Sequence, residues 1–131
     1  MILDTSAVIA IVMREPGHED LLAAIAVDGS SAIGAATLAE TAIVLSARLK
    51  SDARALLARF LSEASIAVVP FGESHYGSAV EAWLRFGKGR HPAALNFGDC
   101  LSYAVASLAD EPLLFVGGDF ARTDVARAPR P

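Results

Sequence analysis

The chain opens on three apolar residues, Met1, Ile2 and Leu3, followed by the polar run Asp4, Thr5 and Ser6 and then a second apolar run from Ala7. A start too apolar to leave either face in water suits the middle of a parallel sheet covered by helices on both sides. Asp4 then falls where that strand ends, and Thr5 or Ser6 is placed to cap a helix beginning at Ala7. After the break at Glu15-Pro16-Gly17, residues 18–27 form a second amphipathic helix stopped by Asp28-Gly29. Residues 30–34 (SSAIG) read as a short strand. Through residues 36–50, Leu38, Ala42, Leu45 and Leu49 recur at helical spacing. Asp52 is placed to cap a helix over 52–64, residues 66–70 (IAVVP) make a fully apolar third strand, and 73–86 is helical again. An irregular stretch, GKGRHPAALN, leads to Asn96, a good N-cap for a helix over 97–110. The last clear strand is 112–116 (PLLFV), ended by Gly117-Gly118, and the tail VARAPRP offers a short edge strand. Short apolar strands alternating with helices of about ten to fifteen residues predict an α/β fold with a mainly parallel sheet.

The length of 131 residues fits a single domain over 1–131, with no internal repeat, linker or low-complexity tract. A hydrophobic fraction of 53% and a mean hydropathy of +0.44 exceed what one such core needs, which predicts an oligomer or a bound protein partner. The net charge of −4 and a pI near 5.2 exclude a globally basic nucleic-acid binder, so any phosphate contact must be local. Cys100 is the single cysteine and cannot form an internal disulfide. With neither a basic leader nor an apolar run near the ~18 residues of a membrane span, the expected location is cytoplasmic.

In open parallel sheets, ligand sites form beyond the carboxyl ends of the strands. The predicted elements put Asp4 and Asp119 there, while Glu40 and Asp99 fall near the starts of helices. Each has an ordinary structural explanation. Asp99 suits a helix N-terminus, Thr37-x-x-Glu40 spells a capping box, and Asp119 can cap the turn that begins at Phe120. Acids that only cap helices need not converge at one edge of one sheet, however. Gathered there without matching Lys or Arg, they repel one another unless a cation offsets them. An oxygen-only ligand set favours Mg2+ or Mn2+ over zinc. Such an ion can generate a nucleophile from water and stabilise phosphoryl oxygens. Arg85, Lys88, Arg90 and His91 form the one local concentration of positive charge, a candidate for holding a phosphate backbone or else a solvated turn.

Taken together, MILDTSAV at the start, Glu40 within TLAET, NFGDCLSYAVA around Asp99 and PLLFVGGDF near the end resemble PIN-domain ribonucleases of the VapC toxin type, over the full chain. The D-T-S start and the N-F-G-D-C block are specific in combination. The resemblance implies a PIN-like fold with helices on both faces of its sheet and Mg2+- or Mn2+-dependent endonucleolytic cleavage of RNA. It also implies homodimers and a cognate antitoxin whose tail covers the active site. It carries catalysis and metal binding onto Asp4, Glu40, Asp99 and Asp119, with the Ser6 hydroxyl in support. Family members often carry a further acid two residues before the Asp-Phe pair, and that position here is Gly117. Asp119 is favoured as the fourth carboxylate because it lies nearer the strand end, with Asp124 as the other candidate.

One other enzyme class begins with an Asp after an apolar strand, and a signalling receiver domain needs paired early acids. A haloacid-dehalogenase-like phosphatase needs a second Asp where this chain has Ser6. A receiver domain needs a phospho-acceptor Asp after its middle strand, and IAVVPFGE has none. The non-enzymatic alternative is a PIN-like module that binds RNA or protein without cutting.

Overall fold

The computed structural model describes residues 1–131. Four short strands, β1 (Ile2–Leu3), β2 (Ala32–Gly34), β3 (Ala67–Val69) and β4 (Leu113–Leu114), pair in the order β3-β2-β1-β4, all parallel. Parallel neighbours need crossover connections. Six helices supply them: α1 (Thr5–Val12), α2 (His18–Asp28), α3 (Ala35–Leu49), α4 (Arg54–Glu63), α5 (Glu73–Phe86) and α6 (Phe97–Ala109). A 3-10 turn at Phe120–Arg122 follows β4. No helix is long and apolar enough to cross a membrane.

β1 is the inner strand that carries the first acid, with Ile2 opposite Ala32 and Leu113, and Leu3 opposite Ile33 and Leu114. Side chains alternate along a strand, and β1 divides its residues between two cores accordingly. Leu3 packs with Ile33 of β2 and with Val8, Leu21, Leu45 and Leu57 from α1 to α4, whereas Ile2 packs with Ala82, Phe86, Leu101 and Val105 from α5 and α6. The next residue in that alternation, Asp4, comes out on the side of α6. Gly34, at the end of β2, presses against α6 so closely that a Cβ there would stand 2.8 Å from Val105 Cγ2. The start of α3 is thereby drawn in beside α6.

Four local expectations change. The α1 helix begins at Thr5 and is capped by Asp4, whose side chain accepts from Ser6 N, so neither Thr5 nor Ser6 is the cap. The α3 helix begins at Ala35 with Gly34 as its cap residue, which places Thr37 inside the first turn and fully buried. The Thr37–Glu40 capping box therefore does not form. The third strand is apolar but not covered, because β3 is the edge of the sheet and Ala67 and Val68 are exposed. The tail adds only one parallel bridge, Leu113 to Arg127, with Leu113 N donating to Ala126 O and Ala128 N to Leu113 O.

Candidate active site

Asp4 leaves β1 buried, at 4% exposure, which is unusual for a carboxylate unless its oxygens are satisfied. Both are. Oδ2 accepts from Ser6 N at 3.0 Å and Ser6 Oγ at 2.6 Å, and Oδ1 accepts from Ser102 Oγ at 2.6 Å. Ser102, fully buried on α6, also contacts Thr37 Oγ1 at 3.3 Å. The acid is thus fixed from α1 on one side and from α6, backed by α3, on the other. Ser6 does one thing more: its Oγ accepts from Val116 N at 3.0 Å, tying the chain beyond β4 to the same carboxylate.

Glu40 approaches from α3 and is half-buried. Its Oε1 accepts from Thr5 Oγ1 at 2.5 Å, and Thr5 in turn contacts Thr41 Oγ1 at 3.0 Å. Asp99, in the first turn of α6, shares a reciprocal capping box with Asn96: Asn96 N donates to Asp99 Oδ2 at 3.0 Å and Asp99 N to Asn96 Oδ1 at 2.8 Å. Burial pushes the Asp99 carboxyl up to about 6. The backbone bond from Asn96 opposes that rise, while the charges of Asp4, Asp119 and Glu40 add to it. Asp4, Glu40 and Asp119 thus stand close enough for their charges to act on Asp99. None of them forms an ion pair with a Lys or Arg.

Asp119 lies exposed before the 3-10 turn, and its side chain caps nothing. The residue two before it, Gly117, has φ +99°, a left-handed conformation that suits glycine and would strain an acid. Asp124 is not brought into the group. Its carboxylate accepts from Tyr103 Oη at 2.6 Å and Arg85 Nη2 at 2.9 Å, anchoring the C-terminal segment to α5 and α6. The basic stretch is dispersed in the same way. Arg85 is paired with Asp124, Arg90 lies over the Trp83 ring at 4.9 Å and donates to Leu84 O, and His91 Nδ1 accepts from Ala93 N. Lys88 has no acidic partner and borders an apolar groove with Trp83, Leu95, Phe97 and Cys100.

A family model described as "PIN domain" matches residues 1–126. The chain belongs to the PIN domain family. Within it, the chain is 49% identical over 126 residues to Ribonuclease VapC36 of Mycobacterium tuberculosis, covering 95% of this chain and 91% of that one. It is 44% identical to Ribonuclease VapC of Mycolicibacterium smegmatis, covering 96% and 98% respectively. Among solved structures, Mycobacterium tuberculosis VapC20, a sarcin-ricin loop cleaving toxin, superposes with a TM-score of 0.77 over 99% of this chain and 98% of that one at 19% identity. A toxin-antitoxin complex from Klebsiella pneumoniae superposes with 0.66 over 94% and 92%, also at 19% identity. At that identity the two structures speak for the PIN fold alone.

Three residues that the sequence pattern does not single out as site residues stand against the candidate acids: Ser102 against Asp4, and Thr5 and Gly98 against Glu40. Ser102 lies one helical turn beyond Asp99 on α6, so the i, i+3 spacing could have pointed to it. Thr5 reads as a cap and instead serves Glu40. Gly98 is recognisable only once α3 and α6 are seen together.

No three Asp, Glu, His or Cys side chains stand together at metal-ligand spacing. The donor set nevertheless fits a hard divalent ion. It is all oxygen, it is anionic, and no protein cation balances it. An ion such as Mg2+, which retains most of its waters, takes only one or two carboxylates directly.

Proposed function

We propose that this protein is a divalent-metal-dependent endoribonuclease, the toxin of a toxin-antitoxin pair, which hydrolyses single-stranded regions of RNA. The observation that carries the reading is the gathering of Asp4, Glu40 and Asp119 about Asp99, none of the four paired with a Lys or Arg, in a chain built on the PIN fold. Asp4, Glu40 and Asp99 would hold the ion, one or two of them directly and the rest through its waters, with Asp119 at the open rim. Bound there, Mg2+ or Mn2+ would supply the Lewis acidity that lowers the pKa of water and offsets charge on phosphoryl oxygens. The protein's own part is preorganisation. Ser6 and Ser102 fix both oxygens of Asp4, Thr5 holds Glu40, and Asn96 holds Asp99, so few groups need reorient when charge develops. Burial keeps Asp99 partly protonated near neutrality until a cation favours its ionised form.

The relatives named as ribonucleases support RNA as substrate, and the fold shared with a toxin-antitoxin complex supports a protein antitoxin. A homodimer is supported by the outer face of α5, where Tyr76, Val80, Trp83 and Leu84 are exposed beside Phe97. Incubation of a mixed RNA pool with Mg2+ or Mn2+, alongside Asp4→Asn, tests the activity. Cleavage by the wild type but not by Asp4→Asn is expected, with the variant still folded by circular dichroism. Undiminished cleavage in excess EDTA would overturn the metal requirement. Binding without cutting by both proteins would instead identify a non-catalytic module.

A further inference from the structure

Gly98 occupies the turn of α6 that carries Asp99, and it is buried. Its backbone is not the reason for a glycine, since it is absent from the residues with positive φ. Within a helix glycine is less favourable than alanine. What the position provides is room. A Cβ on Gly98 would stand 2.6 Å from Cδ and 2.8 Å from Oε1 of Glu40, and would overlap Oε2. The carboxylate of Glu40 thus rests against a bare Cα on α6 while Thr5 Oγ1 donates to it from α1. The N-terminal turn of a helix also favours a negative charge placed beside it.

We infer that Gly98 is a positioning residue for Glu40: its missing side chain admits the acid to the first turn of α6 next to Asp99, and any larger residue displaces it. The inference rests on Glu40 being one of the metal-holding acids. Its energetic signature is selective. The atoms a Cβ would meet are the far end of a flexible side chain, so Glu40 can swing aside without disturbing the helix backbone. The substitution should leave the fold intact and spoil only the placement of one carboxylate.

The test measures Mn2+ binding by calorimetry and metal-free thermal unfolding for the full chain. Gly98→Ala is expected to unfold at the wild-type temperature or slightly above, and to bind Mn2+ about 10- to 100-fold more weakly, the range seen when a ligand's supporting contact is lost. Glu40→Asp, which retracts the carboxylate by one methylene, should weaken binding in the wild type. Added to Gly98→Ala it should restore part of what that change removed. Wild-type affinity in Gly98→Ala, with affinity lost in Glu40→Gln, would overturn the positioning role and leave the proposed function standing. Wild-type affinity in Glu40→Gln would remove Glu40 from the site and the inference with it. Loss of cooperative folding in Gly98→Ala, or no restoration by Glu40→Asp, would also overturn it, since the helix rather than the acid would then have given way.

Discussion

Ser102 Oγ donates to Asp4 Oδ1 at 2.6 Å, a fully buried contact between residues 98 apart in sequence. Hydrogen bonds to a charged group contribute about 1.5–3 kcal/mol, and an acceptor left buried without a donor costs about as much. Ser102→Ala should therefore lower the stability in urea by about 1–3 kcal/mol. It should also reduce RNA cleavage about 10- to 100-fold, because Asp4 keeps its charge but loses its orientation. Cleavage at the wild-type rate would mean that Ser6 alone orients Asp4.

Glu40 separates charge from packing. Glu40→Gln retains an amide oxygen able to accept from Thr5, so its melting temperature should stay within a few degrees of the wild type, a shift of order 1 kcal/mol or less. A neutral amide is a poor ligand for a hard ion, and most cleavage should be lost. Thr5→Val, which removes the donor and keeps the acid, is expected to fall between the two in a single-turnover assay. Equal rates in all three proteins would leave Glu40 with no part in the chemistry.

The pH dependence of the metal-free protein follows from Asp99. Its folded value of about 6 lies above the ordinary 3.8, so the folded state holds this proton more tightly than the unfolded chain. The stability this contributes is complete below the unfolded value and is lost as pH rises through about 6. In EDTA, the urea midpoint attributable to Asp99 should fall between about pH 4 and 7. In Asp99→Asn that component should vanish, and in saturating Mg2+, which binds the ionised form, it should reverse. A midpoint with the same pH profile in wild type and Asp99→Asn would refute the assignment.

The basic stretch makes unequal contributions to RNA binding. Each phosphate contact on a single strand adds about −0.7 to the slope of log affinity against log salt. Lys88, without an acidic partner, should account for one such contact, so Lys88→Ala should flatten the slope by about 0.7. Arg85→Ala should leave the slope nearly unchanged while loosening Asp124, whose charge it already balances. Anisotropy titrations of a labelled oligoribonucleotide in EDTA distinguish the two variants.

Asp4 is legible because an apolar strand announces its own end and the chain turns polar at once. Asp99 is legible because Asn96 announces a helix. The start of α3 is not, since its cap residue, Gly34, has no side chain to mark it, and Thr37 with Glu40 offers a plausible but unused box. The exposure of β3 depends on strand order, which an apolar run does not encode. The pairing of Arg85 has the same origin, since its partner Asp124 is set by how α5 meets the tail, whereas Arg90 and His91 are engaged locally by Trp83 and Ala93. Gly98 is the extreme case, a small residue whose meaning lies in what a separate helix places against it.

The position of β1 between β2 and β4 has a consequence for the order in which a growing chain becomes dangerous. β1 is completed on one side by the strand farthest from it in sequence: Leu3 pairs with Leu114, and Asp4 N donates to Leu114 O at 3.0 Å. A ribosome-tethered chain that has not yet released β4 holds Asp4 on an open strand edge, with no Val116 to engage Ser6 and no Asp119. Pairing across so long a separation forms late. A nuclease connected in this way cannot complete its cluster of acids until β4 has been made. Chains arrested before Leu113 should be digested by protease at α1 and leave RNA intact, whereas those released after Ala128 should resist the one and cut the other.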